Sequence, residues 1–476
     1  MGCRQKLDTV ISRRKLLGLC SLPFVALAGC NRLEPEPTAT PDEETPEPPE
    51  DDSVLDIRDF GAALDGQTDD TAAIQDAIDA AEPGDTVVLP SGTALVSGAN
   101  KEQAGTAAIV INGNNHPDGL TIRGKGEESV LKMDGGHVSN HTVIEVAIGP
   151  GIDGLVLENF KIDGSKYDQT QAAGLGGWNV DIGKADTSTT TADITLRDIW
   201  SINANQNGFH TAHGGCSHIR CTALDAELHG FAIDSWGDGD RNMDPPIEVR
   251  QCYASGNGLY GIDCSGGKIV VEGFVSENNQ QGTKTTEEVV ETTYRRCRFK
   301  DNKTLGYNRP TTETVVGQRA RVTFVDVIAE GNGRAGFRFG SDTDYEIDRI
   351  VARRNNSSNE NPANIMIRDD SSVDGGLVIS NDAVYGEGLR FDSSRTSTID
   401  TYVYSGNPGG DLVADRTGLE ILNRYTREEY YQLHSRNTLD LRQEHKLLRE
   451  QFDSIDRGIP TADDVGAGSG DRTPYS

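Results

Sequence analysis

Positive charge is scarce in this chain: 45 Lys and Arg stand against 75 Asp and Glu over 476 residues, a formal net charge of -30. A surface this acidic repels phosphate, which excludes non-specific nucleic-acid binding by counterion release. No lysine occurs between Lys303 and Lys446, whereas acidic residues run along the whole sequence. That pattern suits a halophilic surface, hydrated in high salt where repulsion is screened within a few ångströms. Paired cysteine is lacking too. Cys3, Cys20 and Cys30 fall in the N-terminal leader, and Cys216, Cys221, Cys252, Cys264 and Cys297 are odd in number with no CxxC spacing. Complete disulfide pairing and a thiolate metal site are thereby excluded, and these thiols are expected as small core residues. Apolar side chains reach only 35%, but the 54 glycines, roughly 11% of the chain, bring the apolar class near the globular norm.

The apolar run Leu16 to Ala28 is too short to cross about 30 Å of hydrocarbon. It follows Ser12-Arg13-Arg14-Lys15 and ends in Leu27-Ala28-Gly29-Cys30. The arginine pair resembles a twin-arginine export signal, and the second motif resembles a lipobox. Together they imply export and lipidation of Cys30, leaving the protein lipid-anchored at the extracellular face of the cytoplasmic membrane. Residues 1–30 are therefore address, and 31–53, rich in Pro, Glu, Asp and Thr, are an acidic linker that cannot repay its ordering entropy.

The folded part opens at residue 54. Ala73, Ile74, Ala77, Ile78 and Ala81 recur at helical spacing after Thr68 or Asp69 as N-cap, and the short strand Thr86-Val87-Val88 follows. The stretch DFGAALDGQTDDTAAIQDAIDAA with TVVLPSGTALV resembles the N-terminal cap of the pectate lyase superfamily, which includes polygalacturonase-like enzymes. The resemblance implies an all-β, right-handed parallel β-helix with a capping helix over its open end. Repeats support a solenoid independently. Gly-rich corners recur at 203–208, 253–258, 328–333 and 404–409. An interior column is read at Ile202, Cys221, Cys252, Gly273, Cys297 and Val327, with gaps of 19, 31, 21, 24 and 30. Tight two-residue hairpin turns are few, which disfavours a propeller or sandwich. The β-helix is expected over 54–422, a Glu-, Arg- and Leu-rich helical segment over 423–457, and a disordered tail over 458–476.

On such a fold, side chains one coil apart stack about 4.8 Å from each other. Aligning Asp234 with Asp263, with His210 one coil earlier, gives a catalytic set in which two carboxylates perturb each other and divide acid and base roles. Four of the nine histidines, His210, His213, His218 and His229, fall within 20 residues. His213 and His229 are candidate substrate ligands, His218 reads as a surface residue, Trp236 as a sugar-stacking platform and Arg338 as a further contact. Asp238, Asp240, Asn242 and Asp244 place oxygen donors at alternate positions, as a calcium loop does. The polygalacturonase NTD, DD, GHG and RIK signatures and the pectate lyase RxPxxR pattern are missing, so the resemblance carries no catalytic residues with it. Two functions stay open: a polysaccharide hydrolase or lyase, and a non-catalytic glycan-binding or structural surface lipoprotein. A polysaccharide or cell-surface glycan is the expected partner in both. Asn140, Asn302 and Asn356 head sequons, at least one of which is expected to carry glycan.

Overall fold

The computed structural model describes residues 53–98, 107–113, 116–135, 141–147, 152–168, 177–183, 193–234, 245–286, 289–310, 319–360 and 363–436. The chain divides after Asp51 into two units, and every described element belongs to the second, Asp52–Ser476.

Each coil lays down three short strands, every one paired in parallel with its counterpart one coil away. Cys216–Ile219, Thr222–Leu224 and Phe231–Ile233 form one coil; Ile247–Arg250, Tyr253–Ser255 and Tyr260–Cys264 the next; Gly267–Glu272, Val275–Glu277 and Gln281–Thr285 the third. The first two ladders share one sheet and the third ladder is a sheet of its own. Alternation along each strand turns one set of side chains into the tube, where Phe209, Phe231, Ile262, Tyr294, Tyr307 and Phe337 are fully buried. The result is a parallel β-helix.

The corner between ladders one and two turns on a single left-handed residue per coil: Asp198, Arg220, Gln251, Gly273, Arg296 and Asp326, with φ between 51° and 65°. Left-handed backbone costs a side chain about 1–2 kcal/mol. Inter-coil hydrogen bonds offset it: the Arg220, Gln251 and Arg296 amides donate to the carbonyls of Arg250, Glu272 and Val325. These corners fix the interior column. Cys221, Cys252, Cys297 and Val327 are in it as expected, and all five described cysteines are buried and free. The other two positions differ. By register the column continues through Ile199 and Phe274, while Ile202 points outward and Gly273 makes the turn. Corner residues of unlike chemistry hide the phase from a sequence alignment.

The helix Thr71–Asp79 buries Ala73, Ile74, Ala77 and Ile78 against the first coils. Its N-cap is Asp70, not Thr68 or Asp69. The Asp70 carboxylate accepts the amides of Ala63 and Leu64, and Asp69 accepts from Thr71. At the other end the strand Leu419–Thr426 precedes a helix at Arg427–Arg436.

Inside the second corner runs a file of buried asparagines. Asn257, Asn279, Asn302, Asn332 and Asn355 each donate a side-chain N–H to the next member's carbonyl oxygen, ending on Asn364, at 2.8 to 3.4 Å. Each also receives a backbone amide from the coil before and caps a carbonyl on an earlier one, as Asn302 does for Ser276. Buried amides stay only where their hydrogen bonds are made. The glycosylation expectation fails at two of its three positions for this reason. Asn302 is locked in the file, and Asn356 is buried with its amide on the Tyr385 carbonyl. Asn140 lies outside the described residues.

Candidate functional site

The third ladder shows what its side chains have in common. Glycines Gly208, Gly230, Gly261, Gly282, Gly306 and Gly336 stand one per coil at its start. A Cβ on any of the first five would come within 2.4–2.8 Å of the carbonyl oxygen of the next glycine in the file. Two residues after each glycine a side chain points outward. Register then makes one outward column: Glu145, Asp181, His210, Ala232, Asp263, Lys284, Asn308, Arg338, Met366 and Arg390. Along these ten coils its charged members change from acidic to basic, with Val110 before Glu145 and Val413 after Arg390.

His210 is buried, its ring stacked on Trp178 with centroids 4.5 Å apart. Its Nδ1 donates to Asp181 Oδ1 at 2.6 Å and its Nε2 faces Asp234 Oδ2 at 3.3 Å. Burial alone would lower its pKa, but the hydrogen bonds and charges of Asp181 and Asp234 outweigh it and raise the pKa to about 9. His210 is therefore a cation at neutral pH.

His229 has the opposite setting. It stacks face to face on Tyr260, centroids 4.8 Å apart, with Nε2 3.7 Å from Asp263 Oδ2 and Nδ1 buried without a partner. Burial lowers its pKa to about 4, helped by the charges of Lys284 and His210 against that of Asp234. Asp263 is pushed up to about 6, again by burial first, although Lys284 at 3.6 Å and the Ser265 hydroxyl at 2.8 Å oppose it. Lys284 also lies over the Tyr260 ring, 5.2 Å from its centroid, and burial raises the Tyr260 phenol. Glu145 is raised by burial and by Asp181.

His210, Asp234, His229 and Asp263 are thus brought together, in a different register from the one expected. Asp263 pairs with Ala232 and shares the His210 column, while Asp234 stands two residues along, opposite Ser265. The alignment of 234 with 263 slips by two, which keeps both carboxylates outward but places them diagonally. His213 is buried with Nδ1 on the Gly214 carbonyl, outside this constellation. His218 is not on the surface. Strand Cys216–Ile219 turns it into the tube between Phe209 and Phe231, where Nε2 meets the Thr211 hydroxyl at 2.9 Å. Arg338 stands in the same column, three coils beyond Asp263. Trp236, the calcium candidates Asp238, Asp240, Asn242 and Asp244, and Cys30 lie outside the described residues.

Sequence reasoning missed Asp181, Lys284, Tyr260 and Trp178 as site residues. A signal for one of them is present: Gly282-Thr-Lys284 repeats Gly208-Phe-His210 and Gly261-Ile-Asp263, each an outward residue two after a packed glycine.

A parallel β-helix with a titratable column on one ladder is pectate-lyase-like architecture. The chain belongs to the rhamnogalacturonase A/epimerase, pectate lyase-like family, whose model matches residues 54–308. It is 36% identical to alginate lyase 7 of Azotobacter vinelandii over 148 residues, 30% of this chain and 17% of that one. It is 33% identical to mannuronan C5-epimerase AlgE1 of the same organism over 183 residues, 38% of this chain and 12% of that one. The matches thus span less than a fifth of these relatives. Among solved structures, the A-module of the A. vinelandii epimerase AlgE6 superposes with a TM-score of 0.50 at 18% identity, covering 78% of this chain and 99% of that one. PfbA, a surface adhesin of Streptococcus pneumoniae, superposes with a TM-score of 0.52 at 14% identity, covering 77% and 93%. At such identities the superpositions speak for the fold alone. The curated relatives are polysaccharide-active proteins.

Proposed function

We propose that this protein acts on a polyuronate by abstracting the proton at C5 of a uronate ring, the step shared by lyases and C5-epimerases. One observation carries the reading: two histidines tuned in opposite directions, His229 neutral and His210 cationic, beside Lys284. The proton on C5 is acidified by the adjacent carboxylate, and neutralising that carboxylate stabilises the electron pair released onto it. Lys284 supplies the charge. Neutral His229 accepts the proton through Nε2. The carbanion then has two outcomes. Expulsion of the C4 oxygen, protonated by His210, cleaves the chain and leaves an unsaturated uronide. Return of a proton to the opposite face of C5 inverts the sugar without cleavage. The names of alginate lyase 7 and the mannuronan epimerases support a mannuronan-type substrate.

The export reading belongs to the same proposal: lipidated at Cys30, the enzyme works outside the cytoplasmic membrane, and mass spectrometry of the processed protein checks it.

The test is incubation with mannuronan in deuterated buffer. Deuterium at C5 of residues that stay in the chain is expected if the carbanion is reprotonated. Absorbance from unsaturated uronides, which carry no hydrogen at C5, is expected if the C4 oxygen is expelled; either result supports C5 proton abstraction. Reducing ends without unsaturation or exchange would instead favour hydrolysis by Asp234 and Asp263. Retention of the polymer without any reaction would leave a glycan-binding protein.

A further inference from the structure

The basic end of the third ladder holds two arginines, Arg338 and Arg368, that are not tied to a carboxylate by an ion pair among the described residues. Arginine in this chain is routinely tied to carboxylate. Arg298, Arg353 and Arg354 converge on Glu330, Arg319 reaches Asp344 and Asp370, Arg349 meets Asp326, and Arg390 meets Asp415 and Glu387. Arg338 and Arg368 are exceptions. Among the described residues neither makes an ion pair or a side-chain hydrogen bond, and the Arg338 Nε is buried with no partner. Such a donor is costly to leave unmade. The Asp369 carboxylate acts on Arg338 electrostatically without bonding to it, and its own buried Oδ2 is also unpartnered. Burial first, then the like charges of Arg368 and Arg334, lower the Arg338 pKa. In a protein with a net charge of -30, two guanidiniums without an ion pair among the described residues make a local field of the right sign for an anion.

Their placement says which anion. Arg338 is in the same column as Asp263 and Lys284, three coils beyond Asp263. Arg368 is in the neighbouring column, the one that also contains Asp234 and Ser265. At about 4.8 Å per coil Arg338 lies about 14 Å from the level of Asp263 and Arg368, one coil further on, about 19 Å, distances that a short run of sugar rings spans. The opposite direction is unfavourable to a polyanion, because the column runs there through Asp181 and Glu145 before Val110.

We infer that Arg338 and Arg368 form a distal carboxylate subsite. It grips a uronate several rings from the one being converted and makes the chain lie over the Lys284 to Arg338 side of the groove. The inference rests on the polyuronate reading above. Planar guanidinium matches carboxylate in a two-point contact, and a half-buried pair is screened less by salt than a surface one.

The experiment uses the full chain with purified mannuronan oligomers of increasing length, comparing wild type with Arg338→Ala, Arg338→Lys and Arg368→Ala. Melting curves of all four confirm folding. Binding is read by affinity electrophoresis in mannuronan gels and turnover by C5 exchange together with absorbance from unsaturated uronides. Wild-type affinity should step up once the oligomer is long enough to reach Arg338. Either alanine variant should lose roughly tenfold to a hundredfold in affinity for long oligomers, with trimers unaffected, and Arg338→Lys should recover part of the loss. Equal affinity of wild type and both alanine variants for long oligomers, or a loss that is the same at every length, would overturn the subsite. Arginine-dependent retention with neither C5 exchange nor unsaturated uronides would uphold it while sinking the lyase or epimerase reading. Failure of wild type to bind any oligouronate would overturn it.

Discussion

His210 sets a measurable limit on pH. Its pKa rises from 6.5 to about 9, held there by Asp181 at 2.6 Å and Asp234 at 3.3 Å despite burial. A shift of about 2.5 units at about 1.36 kcal/mol per unit corresponds to about 3 kcal/mol of linked stability. Because the folded pKa lies above the unfolded one, that stability is fully present below pH 6.5 and is lost as pH rises through about 9. Denaturant unfolding of the full chain at a series of pH values should show wild type losing about 3 kcal/mol more than His210→Gln between pH 6 and pH 10. Imidazole NMR of selectively labelled protein reads the group directly. Chain cleavage, which requires the proton on His210, should fall along the same alkaline limb, and His210→Gln should lose roughly 10²–10⁴-fold in cleavage at pH 7.5. An imidazole titrating at or below 6.5, or parallel stability curves for the two proteins, refutes the assignment of His210 as the cationic partner.

Asp263→Asn should reveal the opposite sign. The carboxyl is raised from 3.8 to about 6 by burial, so its ionised form weakens the fold as pH climbs through that window. The variant should be more stable than wild type by up to about 3 kcal/mol at pH 8, equal to it at pH 3, and slower in turnover. Asn302→Ala removes the acceptor for the Asn279 amide and the donor to the Ser276 carbonyl inside a closed tube. A loss of about 2–4 kcal/mol in chemical denaturation is expected, and a change under 1 kcal/mol would mean water or relaxation replaces the bonds. Finally, carboxylate repulsion predicts a melting temperature that rises steeply from dilute buffer to molar salt; a flat profile contradicts the salt-adapted surface.

The solenoid is legible in the sequence because its signals are periodic. Cys221, Cys252 and Cys297 mark the inside of a tube, Gly-rich corners recur along the chain, and the helix after Asp70 announces itself by spacing. Register is harder. Strand alternation has a period of two, so sliding Asp263 from Ala232 to Asp234 keeps every side chain on its proper face and leaves no sequence signature of error. Only the packed glycines Gly230 and Gly261 distinguish the two alignments, since each needs the other's place in the file. His218 misleads for a related reason: a polar side chain beside three other histidines resembles surface, although Cys216 two residues earlier marks that face as interior. Tyr260 and Asp181 gain their roles from neighbours on adjacent coils, His229 and His210, which no local pattern contains.

The glycine file has a bearing on how such a groove can change. Because each coil offers one outward position two residues after its glycine, the separation between Asp263 and Arg338 comes in whole coils. Duplicating the coil of Gly282 to Lys284, or deleting that of Gly306 to Asn308, would move the two ends of the groove by one notch while leaving the residues at each end untouched. The β-helix therefore works as a vernier against its polymer. Its graduation is the strand spacing, and gene duplication of about one coil is the operation that resets which ring of the chain is read when another is altered.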